Sequence, residues 1–236
     1  MITMMFNPEM GDSLKMMADS MPDLFAAFGM ADVGQTLLEF VSGYLYGMLY
    51  VAFPGVFIII LSNRLVSRYV DNGSMAYLLA VPQKRWKIML TQCVFMLTCL
   101  VVMVVYVTCL ILAFSEALFP GEMETGAFLR INVGLLGILV FFGGTCFCAS
   151  CCSNETKTSS AVSTTVVVYS ILLQMISQVG DKFEKVKYAT PITLFDIDGL
   201  AAGDGKAWIM CGILYLAGIL LMGIGIIRFS KRDLPL

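Results

Sequence analysis

Residues 88–114 read IMLTQCVFMLTCLVVMVVYVTCLILAF and contain no Asp, Glu, Lys or Arg. A helix needs about 20 apolar residues to cross the hydrocarbon of a bilayer, and an uncharged run of roughly 18 or more is typical of such a span. This run exceeds that minimum, so the helix has length to spare for tilting or for extending past the hydrocarbon. The stretch therefore predicts a helix that crosses a membrane.

Four further segments have the same apolar character. They cover residues 37–62, 131–152, 161–179 and 207–227; Glu39 lies at the outer edge of the first, and the other three contain no charged residue. Only 14% of the 236 residues are charged, whereas a soluble domain carries about 25%. Together the five segments predict an all-α integral membrane protein with about five transmembrane helices.

Lys and Arg are distributed unequally between the two sides that these spans define, and cytoplasmic loops usually carry the excess. The richer side has Arg64, Arg68, Lys84, Arg85, Lys87, Lys157, Arg228, Lys231 and Arg232, and the poorer side has Lys15, Arg130, Lys182, Lys185, Lys187 and Lys206. We therefore expect the N-terminus outside, the C-terminus inside, and the loops 63–87 and 153–160 in the cytoplasm.

The region before the first span, residues 1–36, predicts an extracytoplasmic amphipathic segment. Five of its apolar residues recur at intervals of three and four, the spacing of an apolar stripe on a helix that lies on a membrane surface. These residues are Leu14, Met17, Met21, Leu24 and Phe28. The transmembrane domain then covers residues 37–236.

The composition excludes most catalytic centres. The chain has no His, which removes Ser-His-Asp catalysis, Cys-His catalysis and histidine ligation of zinc. The spans carry neither paired carboxylates nor Lys, so acid–base and Ser-Lys sites are not indicated. The net charge of −2 offers no basic surface for nucleic acid. We expect no catalytic residue and no nucleic-acid partner.

Cysteines cluster at the inner end of the third span, where Cys148 lies about one helical turn from Cys151 and Cys152. A soft-metal site is one interpretation. The preferred interpretation is that these cysteines are small apolar residues between closely packed helices, because short motifs of this kind often match by chance. No metal site is predicted.

The inner loop 63–87 contains the most informative pattern. Asp71-Asn72-Gly73 is a turn or helix-start signal, and Tyr77-Leu78-Leu79 forms the apolar ridge of a short helix that Pro82 ends. Such a helix suits docking into a groove of a partner, but it equally suits packing beneath the membrane bundle. The residue pattern alone does not decide between the two.

The same loop resembles the cytoplasmic coupling region of the type-two ABC exporter permeases. In that family an acidic residue and a glycine precede a Leu-Leu pair, a proline and a basic residue. The matching residues here are Asp71, Gly73, Leu78, Leu79, Pro82 and Arg85, with Tyr77 beside the Leu pair. The family usually has Glu at the position of Asp71 and a basic residue near Gln92.

Two other stretches are similar to the same family. Residues 229–234, FSKRDL, resemble its C-terminal ending, and residues 190–195, TPITLF, resemble its outer segment before the last span. The resemblance covers about residues 20–236. The family usually has six spans and begins in the cytoplasm, so one further helix upstream would restore its topology. A different gene start, a shortened variant or a helix from another chain would each account for the difference.

The resemblance implies the permease subunit of an exporter in a bacterial cell membrane. Such a subunit forms the substrate pathway and is coupled through the loop 63–87 to a separate cytoplasmic ABC ATPase. ATP and Mg²⁺ would be bound by that ATPase, since this chain has no P-loop, and no cofactor is expected in the chain itself. The other partners implied are the lipid bilayer and a second permease, either a copy or a related chain. A hydrophobic, lipid-like or peptide substrate is expected.

Aromatic and polar residues of the first and fourth spans are candidates for lining the pathway, because polar groups within a span are expected to face protein or water. They are Tyr44, Tyr46, Tyr50, Ser163, Thr164, Ser170 and Gln174. Two other functions remain as alternatives. A secondary transporter usually buries ionisable groups in its spans, which are almost absent here, and a non-transporting scaffold or immunity protein is excluded by no residue.

Overall fold

A computed structural model describes residues 16, 20–21, 38, 42–43, 45–75, 77, 83–121, 123–178 and 190–231, and this part of the chain contains no strand. The helices are α1 (Tyr50–Ser62), α2 (Arg68–Asp71), α3 (Arg85–Leu118), α4 (Thr125–Cys152), α5 (Thr156–Gln178), α6 (Ile197–Ala202) and α7 (Gly205–Lys231), with π-helical turns at Leu45–Leu49 and Asn63–Ser67 and a 3₁₀ turn at Pro191–Leu194.

Five helical stretches in these described ranges are long and apolar enough to cross a membrane. They are Tyr50–Asp71, which joins α1 to α2 through a π-helical turn, and the helices α3, α4, α5 and α7. Their number and apolar character confirm the predicted fold class, an all-α membrane protein. The predicted outer segment 1–36 lies almost wholly outside the described residues and stays a prediction.

The helices extend beyond the apolar segments that predicted them. α3 covers Arg85–Leu118, although its uncharged run covers 88–114. The largest extension is at the C-terminal end of the first span, where the helix continues from residue 62 to Asp71. Backbone hydrogen bonding does not stop where the hydrocarbon ends, so hydropathy locates a span without fixing the helix ends.

This extended helix ends at Asp71 because the next residues reverse the backbone. The Asn72 N–H donates to the Arg68 carbonyl at 3.1 Å, and the Gly73 N–H donates to the Val70 carbonyl at 3.1 Å. Gly73 has a φ of 67°, a left-handed conformation that favours glycine after the end of a helix. The predicted Asp71-Asn72-Gly73 turn is therefore a helix stop.

The chain divides into two compact units, and each of the five long helical stretches contributes residues to both. Unit 1 comprises residues 1–53, 103–135 and 169–211, and unit 2 comprises residues 54–102, 136–168 and 212–236.

In unit 1, the buried side chain of Tyr46 lies at the centre of an aromatic group. Its ring centroid is 5.0 Å from that of Tyr50, 6.3 Å from that of Phe128 and 6.2 Å from that of Phe195. Edge and tilted arrangements at these distances are the favoured geometry of aromatic pairs. The group therefore packs the first helical stretch against α4 and the segment after Pro191–Leu194.

Arg130 of α4 binds the end of the short helix α6, also within unit 1. Its Nε donates to the Leu200 carbonyl at 3.1 Å, and its Nη2 donates to the Ala201 carbonyl. These carbonyls belong to the last turn of α6, where a cation is favourable; the Leu200 carbonyl also accepts from the Gly203 N–H at 3.2 Å. From the sequence, Arg130 was grouped with the basic residues of the poorer side, and these hydrogen bonds were not predicted.

In unit 2, α4 and α7 approach each other closely at Gly144 and Gly218, which we call the glycine contact. A Cβ built at Gly218 would lie 2.6 Å from the Val140 carbonyl oxygen, and one built at Gly144 would overlap the Gly218 backbone. Small residues allow membrane helices to approach backbone to backbone. Only glycine fits at either position without moving a helix.

α4 is the most enclosed of the long helices. In its most apolar window 67% of the residues are buried, compared with 22% in α3 and in α5. The exposed residues of α3 and α5 are mostly large and apolar, among them Val94, Val102 and Tyr106 of α3 and Val168 and Leu172 of α5. Such surfaces are suited to contact with lipid tails or another membrane helix.

Candidate functional site

The candidate coupling loop is built on a buried base. Val66, Val70 and Met75 are 0%, 5% and 0% exposed and belong to the apolar core of unit 2, together with Met89 of α3 and Phe147 of α4. Because these anchors come before and after the Asp71-Asn72-Gly73 stop, the turn is held on both sides. The segment 68–77, which we call the inner segment, is thus fixed by packing at Val70 and Met75.

Other side chains of the inner segment are exposed and point away from this core. Tyr77 is 83% exposed, the largest value among the described apolar side chains, and Arg68 and Asp71 are also exposed. The ring is large and uncovered, which is the property of a side chain that anchors a protein interface. The residues therefore present an aromatic and charged surface on a fixed support.

The described coupling residues Asp71, Gly73, Tyr77 and Arg85 are all exposed. The other predicted coupling residues, Leu78, Leu79 and Pro82, lie outside the described residues, and their role stays a prediction.

Phe229, the first residue of the C-terminal stretch that resembles the family, contributes to the same support. Phe229, near the end of α7, is fully buried in the core that contains Val66, Val70 and Met75. The preceding Arg228 and the following Lys231 lie in the last turn of α7, where cations are favoured by the helix dipole. Phe229 therefore has a packing role that its place in a short motif did not reveal.

A buried group of hydrogen-bonded side chains lies beside the inner segment in unit 2. Asn63 donates from Nδ2 to Ser160 Oγ at 2.7 Å, and its Oδ1 accepts from Ser159 Oγ at 2.8 Å. The Ser159 and Ser150 hydroxyl oxygens are 2.8 Å apart. We call these four residues the polar cluster; it links the π-helical turn Asn63–Ser67 to the start of α5 and the end of α4.

Sequence reasoning did not select the polar cluster. The sequence assigned residues 153–160 to a loop, whereas α5 begins at Thr156 and Ser159 is fully buried and bonded to two other helices. The sequence feature that could have indicated the polar cluster is Asn63, an amide side chain directly after an apolar run. Buried amides require partners, so its position pointed to hydroxyls on neighbouring helices without identifying them.

The candidate pathway residues fall into different environments. In unit 1, Tyr46 packs against Tyr50, and the Ser170 carbonyl accepts a hydrogen bond from the Thr190 hydroxyl at 3.1 Å. In unit 2, Ser163 is buried and the next residue, Thr164, is exposed.

Gln174 is half-buried, and its Oε1 has no partner among the described residues. Tyr44 lies outside the described residues. The pathway assignment stays a prediction.

Metal ligands do not gather into a cluster in the described part of the chain. No three or more Cys, Asp or Glu residues come together there in a way that could hold a metal ion. Cys146 and Cys151 are fully buried, and Cys152 is exposed. This arrangement fits the interpretation of the buried cysteines as small core residues.

A family model described as ABC-2 family transporter protein matches residues 2–234 of the chain. The match covers both compact units, the inner segment and the stretch that contains Phe229. No curated protein and no solved structure matches the chain.

Proposed function

Because the chain belongs to the ABC-2 transporter family, we propose that it is the permease subunit of an exporter that acts with a separate ABC ATPase. The family match over residues 2–234 is the observation that carries this proposal. The five helical stretches that are able to span a membrane fit a subunit that forms a pathway across it. ATP and Mg²⁺ would be bound by the ATPase subunit.

The inner segment is the surface that we assign to the ATPase. It combines the exposed Tyr77 with the buried anchors Val70 and Met75, so a force applied to the ring would be passed to the core rather than absorbed by a loose loop. Exposed aromatic side chains on a rigid base are common centres of binding energy in interfaces.

The orientation of the chain follows from the division of basic residues. All eight described Lys and Arg residues of the richer side lie in unit 2, and Arg130 and Lys206 of the poorer side lie in unit 1. Since the excess of Lys and Arg marks the cytoplasmic side, we assign the inner segment to the cytoplasm of a bacterial cell, where an ATPase partner would be. The N-terminus is then outside and the C-terminus inside.

A second permease, either a copy or a related chain, is the remaining partner that we propose. α5 supports this because its exposed residues include the polar Thr164 and Thr165, which are more favourably placed against protein or water than against lipid tails. A pathway between two such chains would be free of Asp, Glu, Lys and Arg at membrane depth in the described spans, which suits a hydrophobic, lipid-like or peptide substrate.

The first test is a pull-down of the tagged full chain from its native membrane in mild detergent, followed by mass identification of its partners. A stoichiometric ABC ATPase is the expected result. A folded chain without an ATPase would favour a membrane scaffold or immunity protein. A secondary transporter is disfavoured by the absence of Asp, Glu, Lys and Arg from the described spans 45–62, 88–114, 131–152, 161–178 and 207–227, because coupling ions usually require such groups.

A further inference from the structure

The polar cluster lies between two exposed parts of unit 2. Asn63 precedes the inner segment by a little more than one turn, and Ser150 and Ser159 flank the short connection 153–155 that joins α4 to α5. Asn154 at the centre of this connection is exposed. The hydrogen bonds therefore join the helix that carries the inner segment to both helices that carry the connection.

The directionality of these bonds gives them a function that apolar packing lacks. The Asn63 amide uses its donor and its acceptor at the same time, on neighbouring residues Ser160 and Ser159. Rotation of α1 about its axis, or sliding along α5, would break both bonds and leave an amide without partners away from water. That cost is high in an apolar environment, so the cluster fixes rotation as well as distance.

The hydrogen bonds between the first helical stretch and α5 are confined to one helical turn, at Asn63. Two turns further along, the helices meet through Gly55 and Val167, where a Cβ on the glycine would lie 2.9 Å from Val167 Cγ1. Ser163 lies one turn from Ser159 and is equally buried, yet its Oγ forms no hydrogen bond with the four cluster residues; its hydroxyl interacts instead with the Cys146 thiol of α4. Burial of a serine at this contact is therefore not sufficient to include it in the cluster.

Asn63 is also the first residue of a π-helical turn, Asn63–Ser67. Single π-helical turns within α-helices occur frequently at functional sites because they interrupt the regular hydrogen-bond ladder. The π-helical turn lies directly between the spanning helix α1 and the inner segment. If the hydrogen bonds of Asn63 were absent, bending at this turn would absorb a displacement of the inner segment.

We propose that the polar cluster, centred on the positioning residue Asn63, makes the inner segment and the connection 153–155 move as one body. A displacement of the inner segment is then delivered to α4 and α5 as well as to α1. The use of this link in transport rests on the function proposed above, whereas the link itself is a property of the chain alone.

The test measures the distance between residues 72 and 154, both exposed, in the full chain in phospholipid nanodiscs. Spin labels are introduced through unnatural amino acids so that the native cysteines stay in place. The unaltered chain should give one narrow distribution. Asn63→Ala and Ser159→Ala each remove two bonds and should broaden the distribution or shift its mean by about 1–2 Å, the size of helix shifts at switching interfaces. Ser160→Ala removes one bond and should have a smaller effect in the same direction.

Ser163→Ala is the matched control, because it removes a buried serine hydroxyl from the same helix without removing any hydrogen bond of the polar cluster. It should leave the distribution unchanged. If Asn63→Ala does not fold, Ser160→Ala carries the test, since Ser160 is only half-buried. A folded variant with a lower unfolding temperature but the original distance distribution would overturn the proposal, and so would an equal response to Ser163→Ala.

A second measurement separates this proposal from the proposed function. In a complex with the ATPase, Asn63→Ala should retain ATP hydrolysis and lose transport, because the helices no longer follow the inner segment. If the pull-down finds no ATPase, the proposed function fails while the distance measurement still decides whether the link exists.

Discussion

Unit 2 holds its helices together in two different ways. At the glycine contact, Gly144 and Gly218 bring the backbones of α4 and α7 together without any side chain between them. At the polar cluster, α1, α4 and α5 meet through four polar side chains and three hydrogen bonds. The glycine contact depends on the absence of side-chain atoms, whereas the polar cluster depends on the direction of its hydrogen bonds.

The two contacts serve different requirements of a membrane protein: the stability of its fold and the orientation of its helices. Close backbone approach gains dispersion contacts that lipid tails would otherwise supply, and it fails abruptly when a methyl group intervenes. Hydrogen bonds between membrane helices contribute less to stability, on average about 0.6 kcal/mol, but they define orientation. We therefore expect the glycine contact to govern whether unit 2 folds and the polar cluster to govern how its parts move.

The largest expected effect is at the glycine contact. Gly218→Ala places a Cβ 2.6 Å from the Val140 carbonyl oxygen, so the helices must separate, and overpacking of this kind costs about 1–3 kcal/mol or more. The unfolding temperature of the purified chain should fall clearly. Gly223→Ala, on the same helix with nothing within 4 Å of its Cβ, is the control and should be neutral or slightly stabilising. Equal responses would contradict the close contact.

Arg130→Ala should have the next largest effect and should be local to unit 1. It removes two charge-assisted hydrogen bonds to the end of α6, but Arg130 is only half-buried, so water replaces part of their contribution and the net loss should be about 1 kcal/mol. Amide hydrogen exchange should rise in residues 197–204. Arg130→Lys should restore only part of the protection, because an ammonium group does not reproduce the fork of a guanidinium. Unchanged exchange in Arg130→Ala would show that α6 does not depend on Arg130.

A smaller effect on stability is expected at the polar cluster. A double-mutant cycle of Asn63→Ala and Ser159→Ala should give a coupling free energy of about 0.6 kcal/mol and no more than about 2 kcal/mol. The same cycle with Ser163→Ala in place of Ser159→Ala should give a value near zero, because Ser163 has no hydrogen bond to Asn63 or to the other cluster residues. Coupling of the same size in both cycles would remove the distinction between the cluster and ordinary burial.

Tyr77→Ala should have the smallest effect on stability. The side chain is 83% exposed, so its removal creates no cavity, and substitutions at such positions usually change stability by less than about 0.5 kcal/mol. The unfolding temperature should stay within error of the unaltered chain. A large decrease would show that Tyr77 packs against the protein and is not available to a partner.

Most of the fold followed from hydropathy. Long uncharged runs predicted the five spanning helices, because a bilayer forces the backbone to satisfy its own hydrogen bonds. The helix ends did not follow from hydropathy. The apolar run ends at residue 62, but the helix continues through a π-helical turn to Asp71, within the predicted loop 63–87. A π-helical turn has no composition of its own, so the sequence contained no signal for it.

The candidate site followed only in part. The Asp71-Asn72-Gly73 turn agrees with the sequence pattern, because glycine and turn residues act locally. The pattern left open whether Tyr77 would be exposed or packed beneath the bundle. The polar cluster did not follow, since Asn63 and Ser159 are separated by 96 residues. Contacts of that kind depend on how three helices are rotated about their axes, which apolar periodicity cannot fix when every face is apolar.

The proposed binding of an ABC ATPase to the inner segment can be tested by comparing the amount of ATPase that co-purifies with the unaltered chain, with Tyr77→Ala and with Tyr106→Ala. Tyr106 is also a highly exposed tyrosine, 63%, but it lies within the apolar run of α3. We predict that the ATPase is retained by the unaltered chain and by Tyr106→Ala and is lost or strongly reduced in Tyr77→Ala. Equal recovery with all three chains would contradict the assignment of the inner segment, and no ATPase with any of them would contradict the exporter itself.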